Sequence, residues 1–456
     1  MRLSLKAVKS SAPTNLNSQV GCHAHGSTWA CAADHAHTKL WAWHPITSAV
    51  LAVLMMLPLA ARADDWFQFR GPEGEGHSTA VGLPIRWSKT QNVRWRQPLP
   101  DRGWSSPVCV GNQIFLTSAV PKGSTHSLHA LSIDAVTGKI LWDETLFDGL
   151  VADRARIHSK NSHASPTPIA EGGRLFVHFG THGTACLSYD GKVLWKMRDL
   201  VYQPNHGSGG SPVLIDGLLV VSCDGADRQF VAAIDADSGR VRWRKVRPPS
   251  DEPKKFAFGT PLVIEVNGHK QVVCPGANWV VAYDPPTGDE IWRVRYDGYS
   301  VVPRPVYGNG LIYLSTSFDS SQELAIRPDG HGDVTDSHVA WRQSHSMPST
   351  PSPILVGEDL YLISDAGVAS CLDAKTGKPR WVHRIGGGFS ASLTLSENRI
   401  YAVSEGGETT IFRATGDKYV EIARNKLDER TLASPAVIDR GLIFRTDAAL
   451  YRIENN

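Results

Sequence analysis

Short apolar runs recur along the chain, each bounded by Gly, Pro, Asn or Asp, and they return at intervals too short for helices. The stretch Pro107-Val-Cys-Val-Gly-Asn-Gln-Ile-Phe-Leu-Thr117 sets the pattern, with two apolar runs broken at a Gly-containing turn. Runs of this length between turn residues predict β-strands. No long segment keeps apolar residues at the 3.6-residue spacing of an amphipathic helix. One unit reads as strand A (Pro107–Val110), strand B (Ile114–Thr117), strand C (Leu128–Asp134), a Thr-Gly turn and strand D (Ile140–Glu144).

Two words repeat out of phase with each other. The first precedes strand A, at Ser106-Pro107, Ser165-Pro166, Ser211-Pro212, Thr260-Pro261, Arg304-Pro305, Ser352-Pro353, Ser392-Leu393 and Ser434-Pro435. The second joins strands C and D, as in Asp134-Ala-Val-Thr-Gly-Lys-Ile-Leu-Trp142, and it returns at Asp235–Trp243, Asp284–Trp292 and Asp373–Trp381, with a short form at Asp190–Trp195. With Trp95 and Trp341 the tryptophans fall 40 to 53 residues apart, a period that marks a repeat array. Asp caps the turn by accepting backbone N–H groups, and Gly supplies positive φ. The Trp, once per four-stranded unit, is suited to wedge between neighbouring sheets. Radial stacking of such sheets hides their edges.

Eight strand-A words imply eight units, but the last has room for only about three strands. Asn92–Leu99 reads as a strand D with no A–C before it, and is expected to complete the final unit. The fold class predicted is all-β: an eight-bladed β-propeller of four-stranded antiparallel blades, with seven blades as the fallback.

The first 63 residues read as leader, with an apolar core at about 46–61 and export cleavage after Ala63 in Ala61-Arg62-Ala63. Residues 64–91 read as an N-terminal extended segment and 92–456 as the propeller. The stretch 1–38 carries His23, His25, His35, His37, Cys22 and Cys31 without metal-finger spacing and is read as leader only. The leader holds five of the basic residues and one acid, so the formal charge of +2 becomes −2 beyond it. That balance argues against nucleic acid as a partner. Each of the remaining cysteines, Cys109, Cys186, Cys223, Cys274 and Cys371, sits in an apolar run, as a small hydrophobe would. Export permits disulfides, and Cys223 with Cys274 is the pair to examine.

The repeat resembles the quinoprotein (PQQ-type) propeller repeat, through its S-P-V-V-type opening and its D-A-x-T-G-x-x-x-W word. The opening Trp66-Phe-Gln-Phe-Arg-Gly-Pro72 also resembles the leader of exported propellers of that class. The resemblance implies one of two branches: PQQ-dependent alcohol and sugar dehydrogenases, or BamB-like scaffolds. The first would bring PQQ with Ca²⁺, but the chain has no adjacent cysteine pair and no recognisable Glu/Asn/Asp set. The second would bring an envelope-protein partner, although the lipidated cysteine is absent. The reading adopted is an exported, non-enzymatic, monomeric propeller of the periplasm or cell envelope. It has no membrane span beyond the leader, no catalytic residue and no assigned cofactor or metal, and it binds a protein or small polar ligand.

Residues just ahead of each strand A converge on one mouth of the central channel. They nominate Trp104, Asn161, His163, Asn205, His206, Lys255, Phe258, Arg304 and Phe389 as ligand-binding residues, with His163 and His206 drawn close by adjacent blades. Trp95, Trp142, Trp195, Trp243, Trp292, Trp341 and Trp381 are assigned to docking between blades. His158, His163, His178, His182 and His206, with Asp224 and Asp227, include metal-competent side chains, but their spacings match no zinc motif. Asp329-Gly-His-Gly-Asp333 with Asp336 reads as a polar turn. Nucleophile-elbow, P-loop and H-E-x-x-H motifs are absent, so no hydrolase or NTPase reading arises.

Overall fold

A computed structural model describes residues 65–99, 102–151, 157–250, 253–316, 318–319 and 321–455. The leader, its apolar core and the cleavage after Ala63 lie outside the described residues.

Eight antiparallel sheets form the ring. Blade I comprises Val108–Val110, Gln113–Lys122, Thr125–Asp134 and Ile140–Val151. Blade II runs from Ile169–Glu171 to Val193–Met197, blade III from Val213–Ile215 to Val241–Val246, and blade IV from Leu262–Val266 to Glu290–Arg295. Blade V runs from Val306–Gly308 to Val339–Gln343, blade VI from Ile354–Val356 to Pro379–Arg384, and blade VII from Thr394–Ser396 to Glu421–Lys426. Blade VIII takes Ala436–Ile438, Gly441–Arg445 and Ala449–Glu454 from the C-terminus and Val93–Pro98 from the N-terminal side. The expected closure is therefore present, with Val93 opposite Ile453 and Pro98 opposite Ala449.

The C–D turn and the wedge tryptophan form one device. Asp134 Oδ1 accepts from the Thr137 amide (2.6 Å) and hydroxyl (2.8 Å), and these bonds hold its carboxyl below the usual range. The turn glycine Gly377 has φ +70°, and a Cβ there would lie 2.6 Å from the Trp341 ring of the preceding blade. The indole N–H of Trp341 donates to Ala374 O of that same turn (3.0 Å). Trp95, Trp142, Trp195, Trp243 and Trp381 make the same kind of bond to Ala135, Tyr189, Ala236, Pro285 and Thr415. Trp292 differs. Blade V carries the Asp329–Asp333 insertion in place of a Thr-Gly turn, and Gly332–Asp333 adds a parallel strand beside Trp292. Trp292 is fully buried and donates within its own blade to Gln271 Oε1 (2.8 Å).

The strand-A word has a function that its repetition alone did not reveal. An inner-edge strand leaves N–H groups unpaired at the channel wall. Here the N–H of each blade's Ser or Thr donates to the hydroxyl of the next: Ser106 to Thr167 (3.0 Å), Thr167 to Ser211 (2.9 Å) and Ser211 to Thr260 (3.0 Å). The chain of bonds resumes from Arg304 to Ser352, then to Ser392, Ser434 and back to Ser106. Arg304 has no hydroxyl to offer, so the circle of hydroxyls is interrupted at blade V. In blade II the participating word is Thr167-Pro168, not Ser165-Pro166. The sequence offers both, and only Thr167-Pro168 stands directly before its strand, as Pro107 does before Val108.

The segment 65–91 closes the channel from below. Trp66 pairs with Cys109 of blade I, Phe67 O accepts from Ala170 N of blade II, and Gly76 O accepts from Leu395 N of blade VII. Between them the Arg304 guanidinium donates to Phe69 O (3.0 Å), and Arg70 donates to Pro353 O (2.6 Å). Both arginines are buried. Desolvation pulls Arg304 down to about 10, and desolvation with repulsion from Arg304 pulls Arg70 to about 9. The chain then leaves along blades VII and VIII, where Trp87 N donates to Asn425 Oδ1 (2.9 Å), before entering blade VIII as its outer strand.

All five described cysteines are buried free thiols, and Cys223 and Cys274 belong to separate apolar clusters, so the disulfide considered for them is not formed.

Candidate functional site

Above this plug the channel widens into a cup of about 760 Å³. Its lower wall is the hydroxyl circle (Ser106, Thr167, Ser211, Thr260, Ser352, Ser392, Ser434), and Phe69 contributes to the lining from below. The upper wall has two unlike halves. One is an aromatic arc: His158 meets His206 (5.5 Å), His206 meets Phe256 (5.3 Å), and Phe256 meets both Phe258 (5.7 Å) and Tyr299 (5.3 Å), with Phe318 beyond at 6.2 Å. The Lys254 ammonium donates to Tyr299 OH (2.9 Å) at the edge of the arc.

The opposite half is polar. Asp365 takes the N–H groups of Ser349 (2.7 Å) and Thr350 (3.2 Å) on one oxygen and the Thr350 hydroxyl (2.6 Å) on the other. Lys160 reaches across from the connection between blades I and II to Glu405 (2.9 Å) and Asp365 (3.6 Å). Burial raises the Glu405 carboxyl, but bonds from Lys160 and Ser390 outweigh it and leave Glu405 below its ordinary range. Arg430 lies over Trp104 (5.5 Å) and donates to Ser159 O (2.9 Å). Residues 157–162 thus strap the mouth, fixed to blades III and VI–VIII. The close approach is local as well: His206 sits at φ +64°, and a Cβ on Gly207 would lie 2.8 Å from Ile157 and 3.0 Å from Asn161 Nδ2.

Of the residues nominated from sequence, Trp104, Asn161, Asn205, His206 and Phe258 line the cup. Lys254 lines it where its neighbour Lys255 does not. Arg304 lies under the cup and holds the plug, and Phe389 is buried in the core between blades VI and VII. His163 turns away from His206. It stacks on His126 (3.9 Å between centroids) with His182 edge-on to both at 5.7 Å. Burial, then repulsion from neighbouring rings, holds His163 near 4 and His182 near 4, so both rings are neutral at pH 7. The other metal-competent residues are engaged elsewhere: His178 bonds Thr184 Oγ1 (2.9 Å), Asp224 is paired with buried Arg247 (2.7 Å), and Asp227 accepts from Gln203 N (2.7 Å). Phe256, read from sequence within Lys255-Phe256-Ala257-Phe258 ahead of strand A, also lines the cup, whereas sequence reasoning missed Lys254, Tyr299 and His126. The same stretch was the available signal for Lys254, and the extended blade I hairpin for His126.

The family model described as outer membrane protein assembly factor BamB matches residues 86–251, 227–332 and 330–451. BamB of Moranella endobia is 22% identical over 321 residues, 69% of this chain and 71% of that protein. Quinohemoprotein alcohol dehydrogenase ADH IIB of Pseudomonas putida is 23% identical over 376 residues, 77% of this chain and 46% of its own. The dehydrogenase subunit of the quinone alcohol dehydrogenase of Gluconobacter oxydans is 25% identical over 59% of this chain and 34% of its own. The chain therefore spans less than half the length of these dehydrogenases. Among solved structures, BamB from Moraxella catarrhalis superposes with TM-score 0.55 at 14% identity, covering 79% of this chain and 97% of that one. A europium-containing methanol dehydrogenase gives TM-score 0.61 at 12% identity, covering 85% and 90%. These likenesses establish the fold. Among the described residues no helix is long and apolar enough to cross a membrane.

The cup lining does not match a Ca²⁺–quinone site. Ca²⁺ takes six to eight oxygen ligands, carboxylates prominent among them. Asp365 is the only carboxylate among the described residues that line the cup, and both of its oxygens already accept hydrogen bonds.

Proposed function

The chain belongs to the BamB family of outer-membrane assembly propellers, and from that membership we propose that it is an exported, non-enzymatic propeller of the cell envelope. It works as a monomer and holds a segment of a partner protein, or a small polar ligand of similar chemistry, in its cup. The observation that carries the reading is the cup's two-sided wall. An aromatic arc edged by Lys254 offers stacking area, while Lys160, Ser349 and Thr350 opposite it and the hydroxyl circle below offer polar contacts. A mostly apolar concavity with a few convergent polar groups is the usual form of a binding site. An extended segment with alternating apolar and acidic side chains suits both halves.

A second reading, a PQQ-dependent alcohol or sugar oxidoreductase, has the matched dehydrogenases in its favour. The lining stands against it. Loading the purified protein with PQQ and Ca²⁺ separates the two. The scaffold reading predicts no retained quinone absorbance and no alcohol- or aldose-dependent dye reduction, and robust reduction would overturn it. Site-specific crosslinking from position 258 should trap an envelope protein, and His206→Ala with Tyr299→Ala should weaken that capture. Fractionation should place the protein in the periplasm.

A further inference from the structure

Blade I is taller than its neighbours. Its B and C strands, Gln113–Lys122 and Thr125–Asp134, each run 10 residues, whereas the corresponding strands of blade II run 5. The extension carries His126 above the ring, opposite Pro121 near the hairpin tip. Two other segments meet it there. The connection from blade I to blade II brings His163, and the turn Gly180–His182 of blade II brings His182. One ring nitrogen from each lies within 4.8 Å of the others.

His126 is 3% exposed, yet neither of its ring nitrogens has a hydrogen-bond partner among the described residues. A buried imidazole left so costs roughly 1–3 kcal/mol in lost solvation, and buried polar groups in folded proteins are nearly always satisfied. No hydroxyl, carboxylate or amide among the described residues takes up these nitrogens, and two more imidazoles stand against the ring. That arrangement is wasteful for a structural core and well suited to a shared ligand that accepts three nitrogen lone pairs.

We propose that His126, His163 and His182 form a binding site for a single divalent transition-metal ion of the Zn²⁺ or Cu²⁺ type. Imidazole nitrogen is a preferred donor for both ions. Zn–N bonds of about 2.0–2.1 Å require the three nitrogens to draw together by small ring rotations. The set is uncharged, so a bound ion keeps its full charge. Three protein ligands also leave a coordination position open, as in catalytic rather than structural zinc sites. That position has somewhere to lead. His126 and His163 line a side cavity of about 610 Å³, which shares Trp104, His158 and Asn161 with the cup. The ion would bridge blades I and II and present a Lewis-acidic centre beside the binding cup. Arg198, whose charge acts on His182, is the cationic group set against it.

The test uses the full chain, stripped with a chelator and then titrated with Zn²⁺, with metal content read by mass spectrometry. Co²⁺ serves as a visible-absorbing substitute for the coordination number. The wild type should bind one tightly held ion per chain, give the intense Co²⁺ absorption of a low-coordinate nitrogen site, and melt at higher temperature with Zn²⁺. His163→Gln, His182→Gln and the double variant that combines them should lose all three responses, while His158→Ala keeps them. Should a variant misfold, Zn²⁺ protection of His163 and His182 from diethylpyrocarbonate in the wild type reports on the same site. Two results would overturn the proposal: binding unchanged in the double variant, which would place the ion elsewhere (the leader histidines included), or no protection and no stoichiometric binding by the wild type.

Discussion

The turn glycine under Trp341 makes two demands that a single pair of variants can separate. Gly357 and Gly377 both lie in turns of blade VI with similar backbone angles, φ +60° and +70°. At Gly357 an added Cβ meets nothing within 4 Å, so Gly357→Ala reports only the left-handed backbone, about 1–2 kcal/mol. At Gly377 the same methyl would stand 2.6 Å from two atoms of the Trp341 ring, closer than van der Waals contact allows. The indole must move, and its bond to Ala374 O (3.0 Å) is lost with it. Leaving that N–H or carbonyl unsatisfied adds roughly 1–3 kcal/mol. Gly377→Ala is therefore expected to cost about 2–5 kcal/mol, well beyond its partner. Urea unfolding followed by tryptophan fluorescence measures both, with an unchanged slope needed to compare midpoints. Equal destabilisation of the two variants would refute the account of the turn as a docking surface for the indole.

Three further expectations follow from other parts of the ring. Ser352→Ala removes the hydroxyl that accepts from Arg304 N (3.0 Å) and should destabilise the protein by about 1–3 kcal/mol in the same assay, whereas Ser352→Thr should stay near wild type. Glu323 is fully buried, with one oxygen bonded to Ser315 (2.5 Å) and no partner for the other among the described residues, and burial pushes its carboxyl up to about 8. Its folded value lies above the unfolded one, so the wild type loses stability as pH rises from about 4.5 to about 8. Glu323→Gln should therefore gain on the wild type between pH 5 and pH 8.5 in melting experiments, and a pH-independent gap would count against the buried carboxylic acid. Burial raises the Cys223 and Cys274 thiols, so alkylation without reductant should label neither in native protein and both after denaturation, which a mass spectrum resolves.

The repeat was legible because each word has a local physical role. Asp134 and Thr137 build their turn from neighbours in sequence, and Trp142 follows at fixed distance, so both show in a single unit. Features resting on contacts between distant units were not legible. The hydroxyl circle joins Ser434 to Ser106, and neither residue's surroundings in sequence reveal the other. The plug fills the channel because Gly74 leaves room for the Arg304 guanidinium, a fit that only folding discloses. The histidines show the same limit. Nearness in sequence grouped His158, His163, His178, His182 and His206, but the tall hairpin brought His126 to two of them and left His158 with His206. Trp292 broke its rule because blade V replaced the turn that should have received it.

The chain's closure also decides where the ring is weakest under load. All eight junctions between neighbouring blades are crossed by the polypeptide itself, the last on its way from Val93–Pro98 of blade VIII to Val108 of blade I, so the break lies inside blade VIII, whose outer strand is held to its sheet by non-covalent pairing alone. Tension applied to the two ends would, once the plug's contacts give way, concentrate on that row of hydrogen bonds from Val93–Ile453 to Pro98–Ala449, which can shear only as a group or peel from one end. The stretch from Trp66 to Gly76, anchored on blades I and II at one end and on blade VII at the other, acts as a second fastener. The molecule is thus a clasp with a safety catch: a pull from the N-terminal side must first break the plug's contacts before it can load and strip the strand.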